Sequence, residues 1–189
     1  MMSCTQSLAH QRYRRSWSGG FTLLELCITT SVVALVTVGT LATLGPVLDR
    51  MRLISLVSDF HSSLSFARQQ AIRRGYRVDL LPVVAGSWRS GWCVAIDANN
   101  NQQLDAAELV LHRSAVTPPP GTEISARMTD SKRTYVSFDP SGRPRTASSA
   151  NVPQYGSLLF QLGQQRSKLV IGFLGRVRVC DPDRDKATC

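Results

Sequence analysis

The chain has 189 residues and a formal net charge of +9, a length that holds one domain plus an anchor. Acidic side chains fail to balance basic ones both near the N-terminus and beyond it, which argues against cationic partners and for anionic ones: nucleic acid, lipid headgroups or acidic polymers. Such a charge excess carries no information about fold.

The first stretch places His10, Arg12, Arg14 and Arg15 ahead of small residues at Ser18, Gly19 and Gly20, with no acid among them. This reads as a processed leader over residues 1–20. An apolar run then extends from Phe21 to about Leu48, with no charged side chain from Leu26 onward. It is long enough for the roughly 20 apolar residues that a membrane-crossing helix needs. The basic residues ahead of it keep the N-terminus cytoplasmic and send the rest outward, so the remaining domain is expected to be periplasmic or extracellular.

The one acid in the run is Glu25. A carboxylate at that depth is costly and marks function, usually with a partner that neutralises it. Cleavage after Gly20 leaves a free amine on Phe21, and in a bundle of such helices Glu25 is placed to neutralise the amine of a neighbouring subunit.

Residues 49–75 continue as an amphipathic helix. Leu53, Leu56, Val57, Phe60, Leu64, Ala67, Ala71 and Ile72 recur at three and four, the spacing of one apolar face. Gly45-Pro46 removes a backbone donor and predicts a kink or loosening there. Gly75 follows the basic turn Arg73-Arg74 as a C-cap.

Beyond it, residues 76–189 read as short strands: Tyr76 to Val84, Trp92 to Ile96, Leu109 to Arg113, Tyr135 to Phe138, Leu158 to Leu162, Lys168 to Phe173 and Val177 to Cys180. Consecutive strands without intervening helices predict antiparallel sheets with the long helix laid on one face, an α+β fold. Pro118-Pro119-Pro120-Gly121 reads as a rigid connector, and Asp139 to Gln154 as a mobile surface loop.

Three cysteines lie in the outward part. The count leaves connectivity open, but an oxidising compartment permits a bridge. Joining Cys180 to Cys189 closes a short loop with its own turn former, Pro182, and leaves Cys93 as a buried thiol; this is the expected arrangement.

Asp97 to Glu108 carries oxygen-bearing side chains at the places a twelve-residue calcium loop uses, yet Gln102 stands where such a loop needs Gly. A polar hairpin connection explains the same residues without a cation, so no metal or other cofactor is expected. His61 and His112 have no Cys or carboxylate at ligand spacing, and no Ser stands in a nucleophile motif. An enzyme is not expected.

The most informative segment is Gly175-Arg176-Val177-Arg178-Val179-Cys180. A period of two puts Arg176, Arg178 and Cys180 on one strand face and the valines on the other. Paired guanidiniums of this kind grip phosphate oxygens bidentately. Lys168 and Arg166 extend the positive surface if the last strands form a hairpin, and Gly142-Arg143-Pro144-Arg145 repeats the same letters with less diagnostic value.

At Gly20, Phe21 and Glu25 the chain resembles the type IV pilin and pseudopilin superfamily. Phe66-Ala67-Arg68-Gln69-Gln70-Ala71-Ile72, Gly91-Trp92-Cys93-Val94-Ala95-Ile96-Asp97 with Glu108-Leu109-Val110-Leu111, and Phe138-Asp139-Pro140-Ser141-Gly142-Arg143 narrow the resemblance to its GspH/FimT branch. The resemblance implies a pilin-like fold, cleavage between Gly20 and Phe21 by a prepilin peptidase, N-methylation of Phe21, and assembly through Glu25. It further implies an inner-membrane precursor and other pilins as partners. Gly-Arg-x-Arg at the C-terminal strand resembles the DNA-binding motif of FimT-type minor pilins, which implies DNA contact through Gly175, Arg176 and Arg178 during natural transformation. The alternative is a structural or priming minor pilin, or a GspH-like pseudopilin of a type II secretion system.

Overall fold

The computed structural model describes residues 20–131, 134–185 and 189, leaving aside the side chains of 38–43 and 150. The expected leader lies, Gly20 excepted, outside the described residues. The chain divides into two compact units, the first ending at Ala42 and the second running Thr43–Cys189.

Helix α1 spans Leu23–Arg74. Thr22 caps it: the Glu25 backbone N–H donates to Thr22 Oγ1 at 3.2 Å, and Glu25 occupies the first turn, where the helix dipole favours an acid. Thr29, Thr30, Ser31 and Thr37 return their hydroxyls to carbonyls one turn back, as in Ser31 Oγ to Cys27 O at 2.7 Å. Among the described residues no helix is long and apolar enough to cross a membrane. The helix continues through Pro46. Gly75, at φ 71°, closes α1 with its N–H on Ala71 O, as expected of a left-handed cap.

The strands form two four-stranded antiparallel sheets and a ribbon. In the first sheet the order is β3 (Leu109–Arg113), β2 (Ser87–Ile96), β1 (Val78–Val84), β5 (Val136–Phe138). In the second it is β10 (Val177–Cys180), β9 (Gln165–Ile171), β8 (Gly156–Leu162), β4 (Thr122–Met128). The ribbon pairs β6 (Arg145–Thr146) with β7 (Ser149–Pro153).

One core joins α1 to both sheets. Leu53, Leu56, Val57, Phe60, Leu64, Ala67 and Ala71 are buried against Val78, Leu80, Trp92 and Val94 of the first sheet and Leu158, Phe160, Leu169 and Ile171 of the second. Phe60 is its hub, meeting Trp88, Trp92 and Phe160 edge to face at 4.8–5.3 Å. Ile72 departs from the expected stripe. It is half exposed, because the core ends one residue earlier and its side chain lies over Gly142 instead.

One strand joins those expected, and one expectation is corrected. The stretch after the proline run contains β4, seven residues paired with β8 from Thr122↔Leu162 to Met128↔Gly156. The segment from Asp139 to Gln154 is not a free loop. It contains the ribbon, Thr146, Ala147 and Gln154 are buried, and the Gln154 amide closes the outer edge of β5. Its Oε1 accepts from Ser137 N at 3.0 Å and its Nε2 donates to Tyr135 O at 3.1 Å. From Tyr135 to Ser137 a side chain thus stands in for a neighbouring strand, and Phe138 is bridged by Pro144. Ala147 also joins Leu81, Cys93, Ala95 and Tyr135 in a second small core on the first sheet's reverse face.

Candidate nucleic-acid interface

β9 and β10 pair as the expected hairpin, with Cys180 opposite Lys168 and Arg178 opposite Val170. Its turn is fixed by Gly172 N donating to Arg176 O at 2.8 Å and Gly175 N donating to Gly172 O at 2.9 Å. β10 lies at the sheet edge, and the Cys180–Cys189 disulfide ties its end. Val177 packs on the core and Val179 lines a groove with Ile54 and Val57 of α1. The valines therefore face the helix and, by alternation, Arg178 faces away from it.

Arg176 is placed differently from expectation. It precedes β10, belongs to the turn, and lines a groove of about 440 Å³ with His61, Ser65, Arg68 and Gln69 of α1. The strand period alone could not assign it, because the turn interrupts the period. Arg176 and Arg178 are both exposed, and among the described residues neither forms an ion pair.

Arg166 and Lys168 are already engaged. Arg166 forks onto Asp183, with Nε to Oδ2 at 3.1 Å, and this pairing holds its proton more firmly than usual. Lys168 Nζ donates to Cys189 O at 2.7 Å. They border a depression of about 300 Å³ on the outer sheet face together with Arg127, Ser125 and Ser157. Arg127 escaped the sequence reading because its strand did; Thr122, Ile124 and Met128 at alternate positions were the available signal.

Gly142 and Gly175 are the two glycines with a structural demand at this site. Both have positive φ, 74° and 81°. A Cβ on Gly175 would come within 2.7 Å of Gly142 O, and one on Gly142 within 2.6 Å of Ile72 Cδ1 and 3.0 Å of Arg68 Nε. Gly175 therefore permits direct contact between two loops. Arg68 Nη1 donates to Gly175 O at 3.3 Å.

The Gly142 loop is organised by Asp139. Its Oδ1 accepts from Ser141 N, Ser141 Oγ and Arg143 N, and its Oδ2 accepts from Arg145 Nε at 3.0 Å. Burial works against the carboxylate, but these donors outweigh it and hold Asp139 below its ordinary range. Arg145 is thereby committed to Asp139, whereas Arg143 is exposed.

The Asp97 to Glu108 segment is held by protein groups. Asp97 Oδ1 accepts from Asn101 N at 3.1 Å and Oδ2 from Gln102 N at 2.8 Å, while Arg77 spans Asp79, Asp97 and Asn100. Gln102 adopts φ 61° where the calcium loop has its Gly. Burial raises the Asp79 carboxyl against the pull of Arg77. Cys93 is a buried free thiol, as expected, with its proton held by burial. His112 rests against Phe66, ring centroids 5.4 Å apart, and His61 stands at the groove rim. Among the described residues no group of three or more His, Cys, Asp or Glu is placed to hold a metal.

Comparison with known proteins bears on this architecture. Two crystal forms of the type IV minor pilin FimU from Pseudomonas aeruginosa match with a TM-score of 0.50 each. At 14% and 12% identity, they cover 69% and 71% of this chain and 94% and 92% of their own. That likeness is one of fold. No curated protein matches the chain. The family model of the type II transport protein GspH matches residues 56–175, more than half of the sequence, so the chain belongs to the GspH family of pilin-like proteins.

Proposed function

We propose that the chain is a type IV minor pilin that binds DNA through Gly175, Arg176 and Arg178 during uptake in natural transformation. The observation that carries this reading is the pair of exposed arginines on a disulfide-tied edge hairpin, neither in an ion pair among the described residues. Phosphate contacts of this kind give affinity without base readout and make it salt-dependent. Several subunits along one filament add avidity to modest single contacts.

The rest of the reading concerns anchoring and assembly. A prepilin peptidase of the inner membrane cuts between Gly20 and Phe21, Phe21 is N-methylated, and the segment to about Leu48 holds the precursor in the membrane before entering the filament core. Phe21, Leu23 and Leu24 support this, being 84%, 80% and 70% exposed. Such apolar side chains need lipid or neighbouring helices around them. Glu25, also exposed, pairs with the Phe21 amine of a neighbour.

A second reading is a structural or priming subunit, or a pseudopilin of type II secretion. It is favoured by the exposed Met51 and Ile54, which line a groove with Ser55, Ser58 and Asp59 and are suited to a neighbouring subunit. One experiment separates the two. Labelled duplex DNA is titrated at low salt with the full chain in detergent and with its Arg176→Ala/Arg178→Ala variant. The uptake reading expects binding that the variant loses by tenfold or more and a transformation defect with filaments intact. Equal binding by the variant, or lost filaments instead of lost transformation, favours the structural role.

A further inference from the structure

The Gly142 and Gly175 loops, far apart in sequence, meet on one residue of α1. Arg68 donates to Gly175 O through Nη1, while its Nε lies 3.0 Å from where a Gly142 Cβ would stand and 3.5 Å from where a Gly175 Cβ would stand. That Nε is buried and has no hydrogen-bond partner. The Gly175 loop also rests on Pro144, 3.3 Å from its notional Cβ. The two Gly-Arg dipeptides are therefore fixed relative to each other by packing that leaves no room for a methyl group.

Each glycine is followed by an exposed arginine, Arg143 in one loop and Arg176 in the other. Among the described residues neither forms an ion pair. The carboxylate nearest in sequence, Asp139, is occupied by Arg145 and by the loop's own donors. The groove beside Arg176 contributes further cationic and polar wall through Arg68, Ser65 and Gln69.

We infer that Gly142-Arg143 and Gly175-Arg176 form a single two-pronged clamp for a phosphodiester backbone, with Arg68 as the residue that positions both prongs. This rests on the DNA-binding reading and deepens it: Arg143 becomes an equal contact, and binding depends on a helix residue that does not itself need to touch DNA. Two arginines whose backbone attachment points are fixed relative to each other engage one phosphodiester backbone with less ordering cost than two on independent loops.

The test titrates labelled duplex DNA with the full chain in detergent at several salt concentrations. Arg143→Gln and Arg176→Gln should each weaken binding several-fold and lower the slope of log affinity against log salt by about one. Arg68→Lys retains the charge but loses the fork that reaches Gly175 O. It should weaken binding and reduce the salt slope as the prong variants do, with near-ultraviolet circular dichroism unchanged. Gly142→Ala, which alters no charge, should do the same, and adding it to Arg176→Gln should cost less than the sum of the two. Arg143→Gln binding like the parent while Arg176→Gln weakens would overturn the clamp and leave the DNA reading standing. Both prong variants binding like the parent would likewise overturn the clamp, and the DNA reading falls with it only if Arg176→Ala/Arg178→Ala also binds like the parent. A parental salt slope in folded Arg68→Lys would remove its positioning role, whatever Gly142→Ala does to folding.

Discussion

The two regions of α1 differ in what surrounds similar side chains. From Phe21 to Val36 the large apolar residues Leu23, Leu24, Leu26, Ile28, Val32, Val33 and Leu35 are exposed. From Leu53 to Ala71 the apolar residues repeat along one face and are buried by two sheets of the same chain. A stripe can be covered by one layer of sheet, whereas apolar residues on all sides of a helix need partners all round. The second region is completed by its own chain, and the first is left exposed.

The strongest way to break that contrast is to remove apolar bulk from each region. Phe60→Ala should cost about 3–5 kcal/mol, since it leaves a cavity where Trp88, Trp92 and Phe160 converge. Val33→Ala should change the unfolding free energy read by chemical denaturation by less than about 0.5 kcal/mol and act instead on filament incorporation. Similar losses in both would mean that the first region is covered from within the chain.

A smaller effect sharpens the comparison inside the domain. Gln154→Leu removes the amide that serves Ser137 N and Tyr135 O, and should cost about 2–3 kcal/mol because buried backbone groups lose their partners. Hydrogen exchange at Ser137 is the direct check: protection unchanged by the substitution would refute the edge-closing role.

The smallest expected effect is one of pH. The donors around Asp139 outweigh its burial and depress its pKa in the folded state. Its stabilisation is therefore fully present above the unfolded value, near about 4, and is lost as pH falls through the lower folded value. Between about pH 5 and pH 2 the parent should lose more thermal stability than Asp139→Asn. Parallel melting curves would contradict the assigned donors. The first region of α1 contains no comparable loop, and Val33→Ala should leave this pH response intact.

Some of the molecule was legible because local chemistry was sufficient. The stripe from Leu53 to Ala71 stated its own burial, Gly75 its own cap, and the alternating valines of β10 their direction. β4 was illegible because an edge strand buries one side only, and Glu123, Ser125 and Arg127 break up any apolar run there. The ribbon after Asp139 was missed because its order comes from Gln154 reaching β5, a contact between segments with no common local pattern. Ile72 continued the apolar spacing past the end of the sheets that cover it.

The candidate site divides the same way. The sequence by itself determined that the chain has an apolar N-terminal segment with one acid, a C-terminal Gly-Arg-x-Arg and a cysteine pair able to tie it, because those are properties of residue type and near-neighbour spacing. Only the tertiary structure decided that Arg176 belongs to a turn, that Arg166 and Lys168 are already engaged, and that Arg68 joins two glycine loops. The Arg68 contact depends on how closely α1 approaches the two loops, and the engagement of Arg166 and Lys168 on where the C-terminal segment lies against β9; both are distances between segments that no local pattern records.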